Sequence, residues 1–150
     1  MKIYLVQHGK SFSKEVDPER RLTEEGIIET ELIAKHLART NIKLGKIYHS
    51  VKTRARMTAE IFSKYLGTSI EEAEGLSPLD DPRLWLERIK SLKEDIMIVG
   101  HLPHLSKLTT LLLNIDREVV KITNSGVLCL EEEAGRWIIK WYMTPDVIIR

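Results

Sequence analysis

Short β-rich runs alternate with longer helical patterns along the whole 150-residue chain, and that alternation restricts the architecture to an α/β layer structure. Ile3–Val6 reads as a buried strand ending at His8-Gly9, and a polar loop containing Asp17-Pro18 follows. A helix is expected from Leu22-Thr23-Glu24-Glu25-Gly26 onward, with Thr23 as N-cap and acids in the first turn. Ile27, Leu32, Ile33 and Leu37 recur near helical spacing and predict its core-facing stripe. Lys46–Ser50 is a second strand, and Arg54–Leu66 a helix stopped by Gly67. Ser69–Glu74 is a weaker strand because it carries three glutamates. Pro78 and Pro82 mark a loop before a helix over Leu84–Ser91. Ile96–Val99 is the strongest buried strand, and Pro103 opens a helix through Leu105, Leu108, Leu111 and Leu112. Val127–Glu131 and Trp137–Met143 alternate about Glu133–Arg136, a closing β-hairpin.

A chain of this length, without repeats, low-complexity stretches or linkers, is expected to form one domain over residues 1–150. Its 23 basic and 22 acidic residues are mixed, so no basic stripe points to nucleic acid or an anionic membrane. The apolar N-terminal run ends too soon for a secretory signal, and no stretch approaches the roughly 20 apolar residues of a membrane helix. The lone Cys129 excludes an internal disulfide and, within an apolar run, reads as a buried hydrophobe suited to a reducing cytoplasm. No coiled-coil seam demands an oligomer, so a cytoplasmic monomer is expected.

Three segments join strand ends to phosphate-competent residues: Gln7-His8-Gly9, the run from Ser50 through Arg54 to Thr58, and Gly100-His101-Leu102-Pro103. Ligands of open α/β sheets collect outside the carboxyl ends of strands, so segments distant in sequence can converge there. A single His-Gly dipeptide carries little information, because a histidine after a strand is more often a structural hydrogen-bonder. The ordered set of three resembles the histidine phosphatase superfamily, or phosphoglycerate-mutase-like fold. That family's pattern is Arg-His-Gly, then Ser-x-x-x-Arg-x-x-x-Thr, then Gly-His after a later strand. Arg21-Leu22-Thr23-Glu24-Glu25-Gly26 resembles the family's Leu-Thr-x-x-Gly helix start. The short chain, without a large inserted cap, most resembles the SixA-type protein-phosphohistidine phosphatases.

The resemblance implies a three-layer αβα sandwich around a mostly parallel sheet, with the final hairpin adding antiparallel strands. It implies His8 as nucleophile, with Arg54 and His101 binding the phosphoryl group and Gln7, Gly9 and Ser50 lining its site. The residue chemistry agrees. An unprotonated imidazole can attack phosphorus and split one displacement into two. A guanidinium fork matches phosphate oxygens bidentately. A protonated His101 would add a second cationic donor, and backbone N–H groups at helix starts add more. These groups neutralise the developing charge without a metal or cofactor.

One position departs from the pattern: Gln7 stands where the family carries arginine. Glutamine still hydrogen-bonds a phosphate oxygen, but a charge-assisted bond is about twice as strong. Either Lys10 or Lys52 restores the charge, or turnover is slower, or the chain binds phosphate without turnover. Both lysines also read as ordinary solvated side chains. Family members acting on esters usually carry an acid after the third strand, which here directs attention to Glu74–Pro82 and first to Asp80, although Asp80 also reads as a helix cap. A phosphohistidine substrate tolerates a weak acid, because protonated imidazole leaves far more readily than an alkoxide.

The remaining polar and aromatic candidates have plainer readings. His101 and His104 could share a helical face as metal ligands, but no third ligand has suitable spacing, so no metal is expected. His49 reads as a strand-end histidine and His36 as a solvated one. Trp85, Trp137 and Trp141 read as packing residues. The expected activity is phosphoryl hydrolysis through phospho-His8, with a histidine-phosphorylated protein as substrate. A phosphomonoesterase of a small metabolite, or a non-catalytic phosphate- or phosphoprotein-binding module, stands as the alternative.

Overall fold

The structure, a computed structural model, describes residues 1–148. Its strands are β1 (Lys2–Gln7), β2 (Lys46–His49), β3 (Ile70–Glu72), β4 (Ile96–Gly100), β5 (Val127–Glu133) and β6 (Arg136–Met143). The α-helices are α1 (Glu24–Ala38), α2 (Thr53–Leu66), α3 (Arg83–Ser91) and α4 (His104–Leu113). The strands form one sheet in the order β3-β2-β4-β1-β5-β6. The first four neighbours are parallel, and β5 and β6 complete the sheet antiparallel. This is the mostly parallel sheet with an antiparallel hairpin that the resemblance implied.

Both faces of the central strands are covered, which explains their continuous rather than alternating apolar runs. Ile3, Leu5, Ile96 and Ile98 face Trp85 and Ile89 of α3 and Leu105, Leu108 and Leu112 of α4. Tyr4, Val6, Met97 and Val99 face Ile33, Ala34 and Leu37 of α1 and Ala55, Ala59 and Phe62 of α2. Two apolar layers thus sandwich the sheet, giving three layers in all. Burying one aliphatic side chain of this kind contributes roughly 1.5–3 kcal/mol, so β4, apolar on both faces, is a principal anchor. Cys129 lies in the second layer, where burial pushes its thiol up to about 11 and leaves it unreactive near neutral pH.

The local signals mostly act as expected. Thr23 Oγ1 accepts from Gly26 N at 3.0 Å, and Gly67 ends α2 with φ 69°. The hairpin turns on Ala134-Gly135, both left-handed at φ 51° and 78°, as a two-residue turn between twisted strands requires. The third strand is only three residues long, because Glu71 and Glu72 lie on an exposed edge. The buried stripe of α1 also differs: Gly26, Thr30, Ile33, Ala34 and Leu37 face inward, while Ile27 and Leu32 are half-buried. Gly26 belongs in that stripe because a Cβ there would collide with the Lys10 carbonyl. Of the leucines along α4, Leu105, Leu108 and Leu112 are buried, while Leu111 lies on the exposed side.

Candidate active site

The loops following β1, β2 and β4 bring the three motif segments together. His8 N donates to Gly100 O at 3.1 Å, and Ser50 N donates to Val99 O at 3.3 Å, so each segment is held by the neighbouring strand end. His8 Nδ1 lies 2.7 Å from Gly9 O. A carbonyl can only accept, so the ring proton resides on Nδ1 and Nε2 carries a free lone pair. Arg54, in the first turn of α2, directs its Nε–H toward that atom at 3.4 Å. The His101 ring lies 5.0 Å from the His8 ring, centroid to centroid. Its Nε2 pairs with Ser50 Oγ at 2.6 Å, and Lys52 N donates to the same hydroxyl at 3.3 Å.

Burial sets the protonation of this pair. It pushes His8 down to about 4; the Gly9 bond opposes the shift, and the charges of Arg54 and Arg20 add to it. Burial likewise pushes His101 down to about 3, helped by His8, Arg54, Lys52 and His104. At neutral pH both rings are uncharged. The cationic His101 considered from sequence is therefore not the resting state, because an imidazolium in this buried, positively charged setting is disfavoured.

Thr58 of the second motif segment, together with Asn124, Ser125 and Thr30, which were not singled out from sequence, holds the site in shape. Gly9 N donates to Thr58 Oγ1 at 2.9 Å, and Thr58 Oγ1 donates to Arg54 O at 2.8 Å, tying the His8 loop to the turn that bears Arg54. Asn124 Nδ2 donates to His8 O at 2.9 Å, and Ser125 N donates to Gln7 O at 2.9 Å. Ser125 Oγ pairs with Thr30 Oγ1 at 2.7 Å beneath Gly9. A Cβ on Gly9 would lie 2.8 Å from that Thr30 oxygen and 3.1 Å from Ser125 Oγ, so glycine is required there by close packing.

Arg20 is the most consequential of the residues missed. It lines the same cleft as Lys52 and Arg54, and its charge acts on both His8 and Arg54. A guanidinium thus stands near the site despite Gln7. Lys10, offered for that purpose, instead pairs with Glu25 at 2.7 Å and Glu29 at 3.5 Å on α1. Lys52 is exposed at the cleft wall, where its charge reaches His101. Asp80 does not cap α3; its Oδ2 accepts from Ser77 N at 2.9 Å and closes the turn before that helix. Its charge acts on the buried His104. His49 is a buried strand-end residue bonded through Nδ1 to Ser50 O at 2.8 Å. Among the described residues, no group of three or more histidine, cysteine or acidic side chains is placed to hold a metal ion. No helix among them is long and apolar enough to cross a membrane.

The fold is a doubly covered α/β sheet, and the histidines and arginines at its carboxyl edge are of the chemical kind that can hold a phosphoryl-sized anion. The family model of the histidine phosphatase superfamily (branch 1) matches residues 3–80, and the chain belongs to that superfamily. An uncharacterised protein of Picosynechococcus sp. is 32% identical over 115 residues, covering 71% of this chain and 70% of that protein. Phosphohistidine phosphatase SixA of Escherichia coli is 24% identical over 152 residues, covering 97% and 94%. The structure of the protein histidine phosphatase SixA complexed with tungstate has a TM-score of 0.84 at 24% identity, over 97% of this chain and 98% of that one. A phosphoserine phosphatase of Entamoeba histolytica follows the same fold, with a TM-score of 0.77 at 16% identity over 99% of both chains. Family membership supports phosphatase activity.

Proposed function

We propose that this chain hydrolyses protein phosphohistidine through a phosphohistidine intermediate on His8, using no metal or cofactor. The observation that carries the reading is the His8 ring itself: Nδ1 is committed to the Gly9 carbonyl, burial keeps the ring neutral, and Nε2 points its lone pair at Arg54. In the first step Nε2 attacks phosphorus while the substrate P–N bond breaks, and the departing imidazole retains a proton and leaves neutral. Arg54 and Arg20 neutralise the phosphoryl oxygens, with Gln7, Gly9, Ser50 and His101 as further hydrogen-bonding groups. The incoming dianion would favour protonation of His101, making it a charged donor only when loaded. Water then attacks phosphorus, the Nε2–P bond breaks, and phosphate departs.

Arg20 favours turnover over a binding-only role, because it returns the charge that Gln7 lacks. Asp80 would serve as proton donor for an ester, but its carboxylate holds the Ser77 turn, which favours the easier imidazole leaving group. Lys52 is assigned a lesser electrostatic role, and Lys10 none beyond its ion pairs. The working state is proposed to be a cytoplasmic monomer. The test is phosphate release from a histidine-phosphorylated carrier protein and from p-nitrophenyl phosphate, by wild type and His8→Ala. Turnover of the carrier by wild type only is expected. Preference for the ester would move a metabolite phosphatase ahead, and near-normal turnover by His8→Ala would refute the mechanism.

A further inference from the structure

The backbone that carries His8 is held by a turn that is itself anchored from the far edge of the sheet. Residues 123–126, at the end of the α4–β5 connection, present two donors to the end of β1: Asn124 Nδ2 reaches His8 O and Ser125 N reaches Gln7 O, each at 2.9 Å. The N–H of the same His8–Gly9 peptide goes to Thr58 Oγ1 at 2.9 Å. A peptide held at both ends limits where the next carbonyl, Gly9 O, can stand, and that carbonyl holds His8 Nδ1 at 2.7 Å. The aim of Nε2 is therefore set partly by the turn.

The turn has little slack. Gly126 N donates to Thr123 O at 2.8 Å, and a Cβ on Gly126 would stand 3.0 Å from both Thr123 O and Thr123 Oγ1. Ser125 is left-handed at φ 62°, a conformation that a non-glycine residue keeps only where surrounding bonds over-determine it. A shift at Thr123 is thus passed on to Asn124 and Ser125. Thr123 is also where the turn meets β6, two strands away from β1. Tyr142 Oη accepts from Thr123 N at 2.8 Å and donates to Lys121 O at 3.2 Å. The hydroxyl is not needed to keep the connection on the protein, because Ile122, 1% exposed, and Val120 already fasten it to the apolar layer under α4. What the hydroxyl adds is the direction of the Thr123 N–H, next to the side chain that holds His8.

We infer that Tyr142 is a positioning residue for the His8 nucleophile, acting through Thr123 and Asn124 from the outermost strand. This rests on the assignment of His8 as nucleophile proposed above. The hydroxyl touches neither substrate nor His8, so its contribution is to the geometry of attack rather than to binding, and a small misplacement at a nucleophile is costly to rate.

The test is a cycle of Tyr142→Phe, Asn124→Ala and the double variant, in which Tyr142→Phe removes one hydroxyl and keeps the ring. The control is Ile139→Ala, at a residue 42% exposed on the same strand. Urea midpoints confirm that each variant folds. Turnover, KM and the single-turnover rate of phospho-His8 formation are measured on a histidine-phosphorylated carrier protein, or on p-nitrophenyl phosphate if wild type cleaves only the ester. Tyr142→Phe is expected to lower kcat and phospho-His8 formation about three- to tenfold, the scale of one hydrogen bond, with KM within about twofold. In the Asn124→Ala background the same change should have less than about a twofold effect, because the main link to His8 is already cut. Ile139→Ala should leave kcat unchanged. Wild-type kcat in Tyr142→Phe, effects of Tyr142→Phe and Asn124→Ala that multiply, or an equal loss in Ile139→Ala would each overturn the positioning role while leaving the catalytic reading intact. Failure of wild type to form phospho-His8 would instead refute the nucleophile assignment, and the positioning role with it.

Discussion

Lowering the pH should destabilise this protein through the two histidines that face each other at its centre. Each titrates near 6.5 when free, but in the fold His8 is held at about 4 and His101 at about 3, chiefly by burial. Between these values the unfolded chain binds protons that the folded chain refuses. Stability rises with pH wherever the unfolded state binds more protons, so this contribution is fully present above about pH 6.5. It is lost as pH falls, toward about 4 for His8 and about 3 for His101. Integrated down to pH 5, each histidine removes about 2 kcal/mol, and the two together about 4, a large share of the stability of a small domain. Urea unfolding followed by circular dichroism from pH 7.5 to 5 measures this directly. His101→Gln alters absolute stability through Ser50 as well, so the informative quantity is the slope. It should fall by about 1 kcal/mol per pH unit between pH 6 and 5 relative to wild type. A variant that keeps the wild-type slope would show that His101 is not held neutral by burial, and the resting charge state assigned to the site would be wrong.

Other substitutions probe the scaffold and the charges separately. Gly9→Ala should cost about 1–3 kcal/mol through crowding against Thr30 and Ser125, read as a lower urea midpoint. Thr58→Val keeps the shape but strands the Gly9 N–H, and should cost about 1–3 kcal/mol of stability while lowering kcat. Arg54→Ala should lower kcat/KM by roughly 10²–10³, the scale of losing one preorganised donor, and unchanged kinetics would remove Arg54 from the site.

Much of the architecture was legible because its causes are local or periodic. β1 and β4 announce themselves as unbroken apolar runs, since α1 and α2 cover one face and α3 and α4 the other. The three motif segments converge because each follows a strand of the parallel part of the sheet. What escaped depends on loop paths. Ser125 meets Thr30 across 95 residues of sequence, and nothing in the α4–β5 connection signals that it returns beneath Gly9. Arg20 and Arg21 are adjacent in sequence, yet Arg21 turns to Asp17 while Arg20 faces the cleft. The Asp17 spacing hints at the first outcome but not the second. The neutrality of His101 was hidden for a similar reason, because a residue's desolvation is a property of everything packed around it.

Arg20, proposed above to supply the charge that Gln7 lacks, is held differently from a strand-end arginine. An arginine at the end of β1 would be positioned by a strand, whereas Arg20 sits in a loop with its backbone in the left-handed region at φ 51°. A non-glycine residue in that region costs roughly 1–2 kcal/mol, so the loop must stabilise it by other bonds. Its N donates to Asp17 O at 2.8 Å, its Nε to Phe12 O at 3.0 Å and its Nη2 to Ser11 Oγ at 3.2 Å. Of these, the Ser11 bond depends on a removable side chain. If Arg20 supplies charge to the bound phosphoryl group, Arg20→Gln should weaken inhibition by inorganic phosphate about tenfold, the scale of one charge-assisted hydrogen bond. Ser11→Ala leaves the charge and loosens its aim, so it should weaken inhibition by only about two- to threefold. Arg21→Gln loses ion pairs to Asp17 and Glu19 but leaves the Arg20 guanidinium and its bonds to Phe12 and Ser11 in place, so it should weaken inhibition by less than about twofold. Equal effects of Arg20→Gln and Arg21→Gln would mean that general basicity of the loop, not a positioned guanidinium, stands in for the missing arginine. Graded effects in the order Arg20, Ser11, Arg21 would show that the chain has moved a strand-end charge onto a hydrogen-bonded loop at the edge of its cleft.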